Sequence, residues 1–329
     1  MSGFEVVTET TLRKVVREKE ALEAVETAFR ALAEGRVRQP APLGLEIPER
    51  HGEVHVKGAY IEGERAFAIK VASGFYDNPA KGLPTGSGLV LVFDAETGFP
   101  RALLRDNGYL TELRTGAAGA LATRLLSPES LDRVAVLGTG VQARYQVRAI
   151  AQVRRWSETV AWSPDPEHVA SYCEEMERSM GVPFRAADSA RAAVEGADLV
   201  VTVTPARQPI LQAAWLAPHA TVVAVGSDGP EKQELAVDVL ARAQRVVADH
   251  RGQCLRLGEV HHAVDAGVLT PESVDELGAV LIGQRPGRQG NELIVCDLTG
   301  VGAQDAAMAG AALRRLEIQV ESDSTPERT

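Results

Sequence analysis

The chain has 329 residues, with 35 Lys+Arg against 45 Asp+Glu, a net charge of −10. At ~100–200 residues per domain this length implies two domains, each able to bury its own core. An acidic balance with no Lys/Arg run excludes a nucleic-acid binder or a basic membrane-surface helix, and no apolar stretch approaches the ~20 residues of a membrane span.

The polar start of the chain lacks the basic-then-apolar order of a signal peptide, and Cys173, Cys254 and Cys296 form no spaced pair that implies a disulfide or zinc. A cytoplasmic protein is expected. The first segment reads as α+β. Leu22, Val25, Phe29 and Leu32 recur at helical spacing within a helix expected over 11–34, which Gly35 ends as a left-handed cap. Strands are expected over 53–60, 66–71 and 89–94, with a Gly/Pro/Asn-rich loop over 73–88 between the last two. Glu96-Thr97-Gly98 makes a hairpin turn before a strand over 101–104. A helix rich in small residues follows over 111–126. Gly116 and Gly119 leave its surface open to another backbone or to a ligand.

From 132 onward strands alternate with helices, with strands expected over 134–137, 159–162, 199–203, 221–225, 245–248 and 293–296. That alternation implies a parallel sheet covered on both faces. The polar tail 321–329 is expected to fray.

The sharpest local signal is V-A-V-L-G-T-G-V-Q-A over 134–143, a G-x-G-x-x-A motif between an apolar strand and a helix expected over 142–155. Gly138 permits the tight turn, and Gly140 lets backbone N–H groups approach a pyrophosphate. Ala143 packs the helix against the sheet, and Val141 before that helix and Gln142 at its start are cofactor-side candidates. An acidic partner for the ribose is sought about 20 residues on. Asp165 qualifies, although it is equally suited to a turn or a helix cap. With no Lys or Arg beside it, NAD(H) is favoured and NADP(H) remains open.

Further motifs are A-I-K-V at 68–71, G-L-P-T at 82–85, D-A-E-T-G at 94–98, L-T-E-L-R-T at 110–115 and G-T-G-V-Q-A-R at 138–144. V-G-S-D at 225–228, K-Q-E-L at 232–235, G-E at 258–259, L-G at 277–278, G-R at 287–288 and D-L-T-G at 297–300, followed by Gln304-Asp305, continue the series. In this order they resemble the ornithine cyclodeaminase / μ-crystallin family from end to end. Within the family, G-E-V-H-V-K-G-A-Y at 52–60, S-G-F-Y-D-N-P at 73–79 and D-N-G-Y-L-T at 106–111 look closest to the ectoine-utilisation and iminosuccinate-reductase branch.

The resemblance implies a Rossmann-type doubly wound parallel sheet over 121–304. It also implies an α+β substrate-binding and dimerisation domain made of 1–120 with 305–329, to which the C-terminal helix returns. A homodimer acting on small imino or amino acids with a nicotinamide cofactor is implied as well.

Carried over residue by residue, Lys70 anchors the substrate carboxylate and takes part in catalysis; its other reading is an edge-strand lysine. Arg114 lies near both cofactor and substrate, where its planar fork suits a carboxylate or phosphate; otherwise it is a surface arginine. Asp228, past the strand over 221–225, is the acid/base for the substrate nitrogen or else a turn former. Lys232 pairs with Asp228, reaches the cofactor or lies on a helix surface. Thr85, Thr204, Val225, Gly226 and Thr299 are carried over around the cofactor, and Val301 around the substrate. Lys57 is the branch's second cation for a dicarboxylate, or simply the polar face of a strand. The family often places an arginine where this chain has Pro42, so Arg38 or Lys57 would compensate. The seven histidines give no metal or triad spacing, and His261-His262 read as structural.

The expectation is an imino acid reductase or amino acid dehydrogenase, acting on iminosuccinate to give L-aspartate or on a related step of ectoine breakdown. Cyclodeamination of ornithine to proline and ammonia, or a non-catalytic NAD(P)H-dependent ligand-binding protein, are the alternatives.

Overall fold

The computed structural model describes residues 4–316. The chain opens with β1 (Glu5–Thr8), α1 (Glu9–Val15), α2 (Glu18–Ala33), β2 (Val37–Arg38), β3 (Leu43–Ile47) and β4 (Gly52–Ile61). Then come β5 (Ala66–Phe75), β6 (Gly86–Asp94), β7 (Pro100–Arg105), α3 (Tyr109–Leu126), β8 (Arg133–Leu137), α4 (Val141–Ile150), β9 (Glu158–Trp162) and α5 (Pro166–Met180). They are followed by β10 (Phe184–Ala186), α6 (Ala190–Val194), β11 (Leu199–Thr202), β12 (Thr221–Ala224), α7 (Val237–Arg242), β13 (Arg245–Ala248) and α8 (Arg251–Cys254). The last elements are α9 (Gly258–Asp265), β14 (Val274–Glu276), α10 (Leu277–Leu281), β15 (Ile294–Asp297) and α11 (Gly302–Arg315). Two compact units result among the described residues: one of residues 4–114 and 301–316, the other of residues 115–300, so that the division falls inside α3.

The first unit is built on a seven-stranded sheet ordered β1-β7-β6-β5-β4-β2, with β3 also on β4. Its strands pair antiparallel except β1 on β7. Both α2 and α11 pack together, and α11 lies on β4 and β5. Phe29, Val25 and Ala28 of α2 and Met308 and Ala312 of α11 are fully buried there with Ala68, Val90 and Val92 of the sheet. Strand periodicity then decides the buried face. Lys57 shares it with Ala59 and Ile61, and Lys70 shares it with Ala68.

The helix expected over 11–34 is two helices. Val16 is extended and buried, and its carbonyl accepts from Tyr109 Oη at 2.7 Å, which takes it out of the helical ladder. Arg17 N–H donates to Glu20 and starts α2. The loop expected over 73–88 is shorter, because Ser73 pairs with Ser87 and Gly74 with Gly86 as strand. Glycine there permits close backbone approach: a Cβ on Gly88 would lie 2.9 Å from the Val71 carbonyl oxygen.

The second unit holds eight parallel strands ordered β10-β9-β8-β11-β12-β15-β13-β14, the doubly wound Rossmann-type arrangement. Strand order reverses between β8 and β11, the place where such sheets take ligands at their C-terminal strand ends. Leu137, Val200, Val222 and Val295 belong to its apolar core. The small residues of α3 seat another backbone: a Cβ on Gly116 would lie 2.7 Å from the Tyr145 carbonyl oxygen, and one on Gly119 would overlap Gln146. All three cysteines are buried free thiols. Among the described residues no helix is long and apolar enough to cross a membrane.

Candidate active site

In the second unit, β8 delivers the chain to Gly138 at φ +104°, where a Cβ would stand 2.6 Å from the Val203 carbonyl oxygen. Only glycine fits both the backbone angle and the space. Gly140 then serves as N-cap of α4 without a side chain to cap it, so the first-turn N–H groups keep the capacity to bind an anion. Val141 stands exposed at the first helical position and Ala143 is fully buried against the sheet. Gln142 accepts from Gln146. Arg144 donates to the Thr139 and Gly140 carbonyls at 2.8 and 3.1 Å, tightening the turn. These features fit a pyrophosphate.

Asp165 follows β9 and caps α5, accepting from the Glu167 and His168 N–H groups through Oδ1 at 3.0 and 3.1 Å. Its carboxylate is half-exposed. On the other side of β8, the ends of β11 and β12 carry Thr204, Val225 and Gly226. Val225 is buried, and a Cβ on Gly226 would lie 2.1 Å from the Thr204 carbonyl oxygen. Asp228 is two residues further on, half-buried, with Oδ1 2.7 Å from Nζ of buried Lys232. Of the three readings of Lys232, pairing with Asp228 is the one the side chain adopts. Ser227 Oγ donates to the Lys232 carbonyl, and His262 donates to the same oxygen at 2.9 Å. His261 faces the Pro230 carbonyl at 3.1 Å, so both histidines shape the loop that carries Asp228. Thr299 is buried, and its hydroxyl donates to Asp249 and accepts from Gln253 Nε2.

The first unit collects charge. Lys57 and Lys70 are paired residues on β4 and β5, and both are buried. Asp305 of α11 faces them: Lys70 Nζ lies 3.1 Å from its Oδ2, and Arg114 Nε lies 3.3 Å from its Oδ1. Arg114 is therefore not a solvated surface arginine. Burial pulls the Lys70 ammonium down to about 7; Asp305 opposes this, while Arg114 and Lys57 add to it. Burial alone would raise the Asp305 carboxyl, but Lys70, Arg114 and Lys57 outweigh it and hold the group below its ordinary value. Asp106, also buried, is raised by burial against hydrogen bonds from the Leu110 and Gly108 N–H groups.

Lys57, not Arg38, is the cation beside Lys70; Arg38 is exposed on the short strand β2 opposite Tyr60. Thr85 is half-buried just before β6, with its carbonyl accepting from Phe75 N–H. Val301 is fully buried at the start of α11. Sequence reasoning gave Asp305 no role. Its signal was its place one residue after Gln304 in a motif-rich stretch, which says nothing of the cations it meets across the fold.

Residues 4–317 match the model of the ornithine cyclodeaminase/mu-crystallin family. A putative dehydrogenase of Rhizobium meliloti is 45% identical over 318 residues, covering 96% of each chain. Among solved structures, Thermococcus litoralis Δ1-pyrroline-2-carboxylate reductase in complex with NADH and L-proline matches with TM-score 0.90 and 29% identity, over 95% of this chain and 98% of that one. An archaeal alanine dehydrogenase dimer with bound NAD matches with TM-score 0.88 and 32% identity, over 95% and 96%. The iminosuccinate reductase of Paracoccus denitrificans in complex with NAD+ gives TM-score 0.87 and 30% identity, over 95% and 96%. With a family match spanning nearly its whole length, the chain belongs to the ornithine cyclodeaminase/mu-crystallin family.

Proposed function

We propose that this protein is an NAD(H)-linked imino acid reductase whose preferred substrate is a small dicarboxylic imino acid such as iminosuccinate, reduced to L-aspartate. The observation that carries the reading is the buried set of Lys57, Lys70 and Arg114 gathered around the acidic side chain of Asp305. Three buried basic side chains in one place offer an anionic ligand more than one charge-assisted contact, which suits a substrate with two carboxylates.

In this reading Lys70 and Arg114 hold the α-carboxylate, Arg114 through its planar fork and Lys70 as a point charge. Lys57 receives the second carboxylate, and Val301 walls the substrate. The Gly138–Ala143 turn holds the pyrophosphate. Asp165 accepts from the adenosine ribose and repels a 2′-phosphate, which favours NAD(H) over NADP(H). Thr204, Val225 and Gly226 lie on the nicotinamide side, with Thr85, Thr299 and Lys232 in support.

When bound, the reduced nicotinamide supplies the hydride that a C=N carbon accepts. Asp228 accepts a hydrogen bond from the protonated substrate nitrogen and so favours the iminium, the form most open to reduction. Lys232 pairs with the Asp228 carboxylate at 2.7 Å and aims it. Fixing the carboxylates restricts the substrate to one orientation, and such positioning provides much of the rate gain.

Among the described residues, exposed large apolar side chains concentrate in the first unit: Phe4, Val6, Leu43, Leu45 and Phe99. Two of them, Leu43 and Leu45, share one face of β3, and exposed apolar surface of this kind supports a homodimer joined through that unit.

The test is a substrate panel followed by NADH absorbance. Oxaloacetate with ammonia should consume NADH and yield aspartate faster than pyruvate with ammonia or pyrroline-2-carboxylate. Proline and ammonia from ornithine with no net change in NADH would establish cyclodeamination instead. NADH binding with no turnover across the panel would leave a ligand-binding protein.

A further inference from the structure

We propose that Glu234 is a positioning residue for the nicotinamide side of the cofactor site, joining the ends of β11 and β12 through one buried carboxylate. The inference rests on the cofactor reading above. Glu234 is fully buried. Its Oε1 accepts from the Thr204 N–H at 2.6 Å and the Thr204 hydroxyl at 2.8 Å. Its Oε2 accepts from the Gly226 N–H and from the Thr202 hydroxyl, both at 2.8 Å. Four donors from two neighbouring strand ends thus converge on one side chain. Gly226 is confined to glycine by the same arrangement, since a Cβ there would meet the Glu234 carboxyl carbon at 2.6 Å.

The carboxylate is itself held in place. Glu259 accepts from the Glu234 and Leu235 N–H groups at 2.8 and 3.1 Å. Asp297 in turn accepts from the Glu259 and Val260 N–H groups at 2.8 and 2.9 Å. Three buried acids therefore run in series from the end of β15 to the loops after β11 and β12. Burying three carboxyl groups is costly for stability alone, and an apolar core would be cheaper. What the series does achieve is a fixed spacing of Thr204 and Gly226. In the strand order β9-β8-β11-β12 these two lie on the side of the pyrophosphate turn opposite the ribose-side residue Asp165.

The chemistry requires a carboxylate, because each oxygen faces one fixed backbone N–H. Whichever way a glutamine side chain were turned at this position, its NH2 would meet one of those donors. Glu234→Gln tests the role by comparing the reduced dinucleotide with ADP-ribose, which lacks the nicotinamide. The measurement is Kd by fluorescence or calorimetry, with thermal melting as the control for folding. NADH should bind about tenfold more weakly while ADP-ribose changes less than twofold. Thr202→Val removes only a hydroxyl that donates to Glu234, and it covers the case in which the glutamine variant does not fold. It should weaken NADH about threefold and leave ADP-ribose unchanged. Equal loss for both ligands, or loss for neither, overturns the inference and marks Glu234 as a general structural support. Wild-type protein that takes up no NADH defeats the cofactor reading itself, a separate result.

Discussion

Lys57 and Lys70 stand directly opposite each other on β4 and β5, and both are buried. Like charges in register destabilise a sheet. Asp305, 3.1 Å from Lys70, offsets part of that repulsion. Burial, with smaller contributions from Arg114 and Lys57, still brings the Lys70 ammonium from an ordinary 10.5 to about 7.

A pH dependence follows. Protonated Lys70 binds a carboxylate and neutral Lys70 does not, so kcat/KM for the substrate should be level below pH about 7 and fall above it. Asp305→Asn removes the group that opposes the depression, so the break should move to lower pH. A profile that stays level to pH 9 in the wild type would contradict the assignment. Stability carries the same signature with its own sign. Between about 7 and 10.5 the unfolded chain holds a proton on Lys70 that the folded chain has released, so this group's penalty is largest below 7 and fades as pH rises to 10.5. Urea midpoints measured across that window should rise less in Lys70→Met than in the wild type.

Lys57→Leu should separate dicarboxylates from monocarboxylates. KM for the oxaloacetate–ammonia pair should rise by about tenfold or more, the scale of a lost charge-assisted contact, while KM for pyruvate with ammonia changes less than threefold. A uniform change for both would assign Lys57 to the strand rather than to the substrate.

Asp228→Asn keeps the shape and loses the charge. Turnover should fall by about 10²–10³, within the usual range for a proton-handling group, while NADH affinity changes less than threefold. Lys232→Met should act in the same direction but more weakly, because its ammonium pairs with the Asp228 carboxylate and the carboxylate itself is retained.

Gly138→Ala places a methyl group 2.6 Å from the Val203 carbonyl oxygen on a backbone at φ +104°. Both strain and overlap oppose it, at a cost of roughly 2–4 kcal/mol. The melting temperature should drop and NADH binding should be lost. Gly140→Ala, which would meet no atom within 4 Å, should leave the melting temperature nearly unchanged.

The second unit was legible because its signals are local. Apolar runs such as 199–203 recover β11 to within one residue, and the Gly138–Ala143 motif fixes its own turn. Strands whose neighbours supply the pairing were not legible. Leu43–Ile47, for which no strand is predicted, becomes β3 by pairing with β4, with Leu43 and Leu45 left exposed. The break at Val16 depends on Tyr109, 93 positions away in the chain. The site divides the same way. Lys70, Arg114 and Asp228 were visible as motif residues, whereas Asp305 and Glu234 act only through partners brought to them by folding.

The buried cysteines have a practical consequence. Cys254 and Cys296 are fully enclosed, and burial with nearby Asp249 and Asp297 raises both thiols well above the ordinary range; burial and Glu177 push Cys173 up to about 11. A thiol that is neither ionised nor reachable does not react with alkylating reagents. Native protein should therefore resist iodoacetamide, and the rate at which label enters each position should report how often that part of the chain opens. Cys173 would report on α5, while Cys254 and Cys296 would report on the sheet interior, all without an engineered probe.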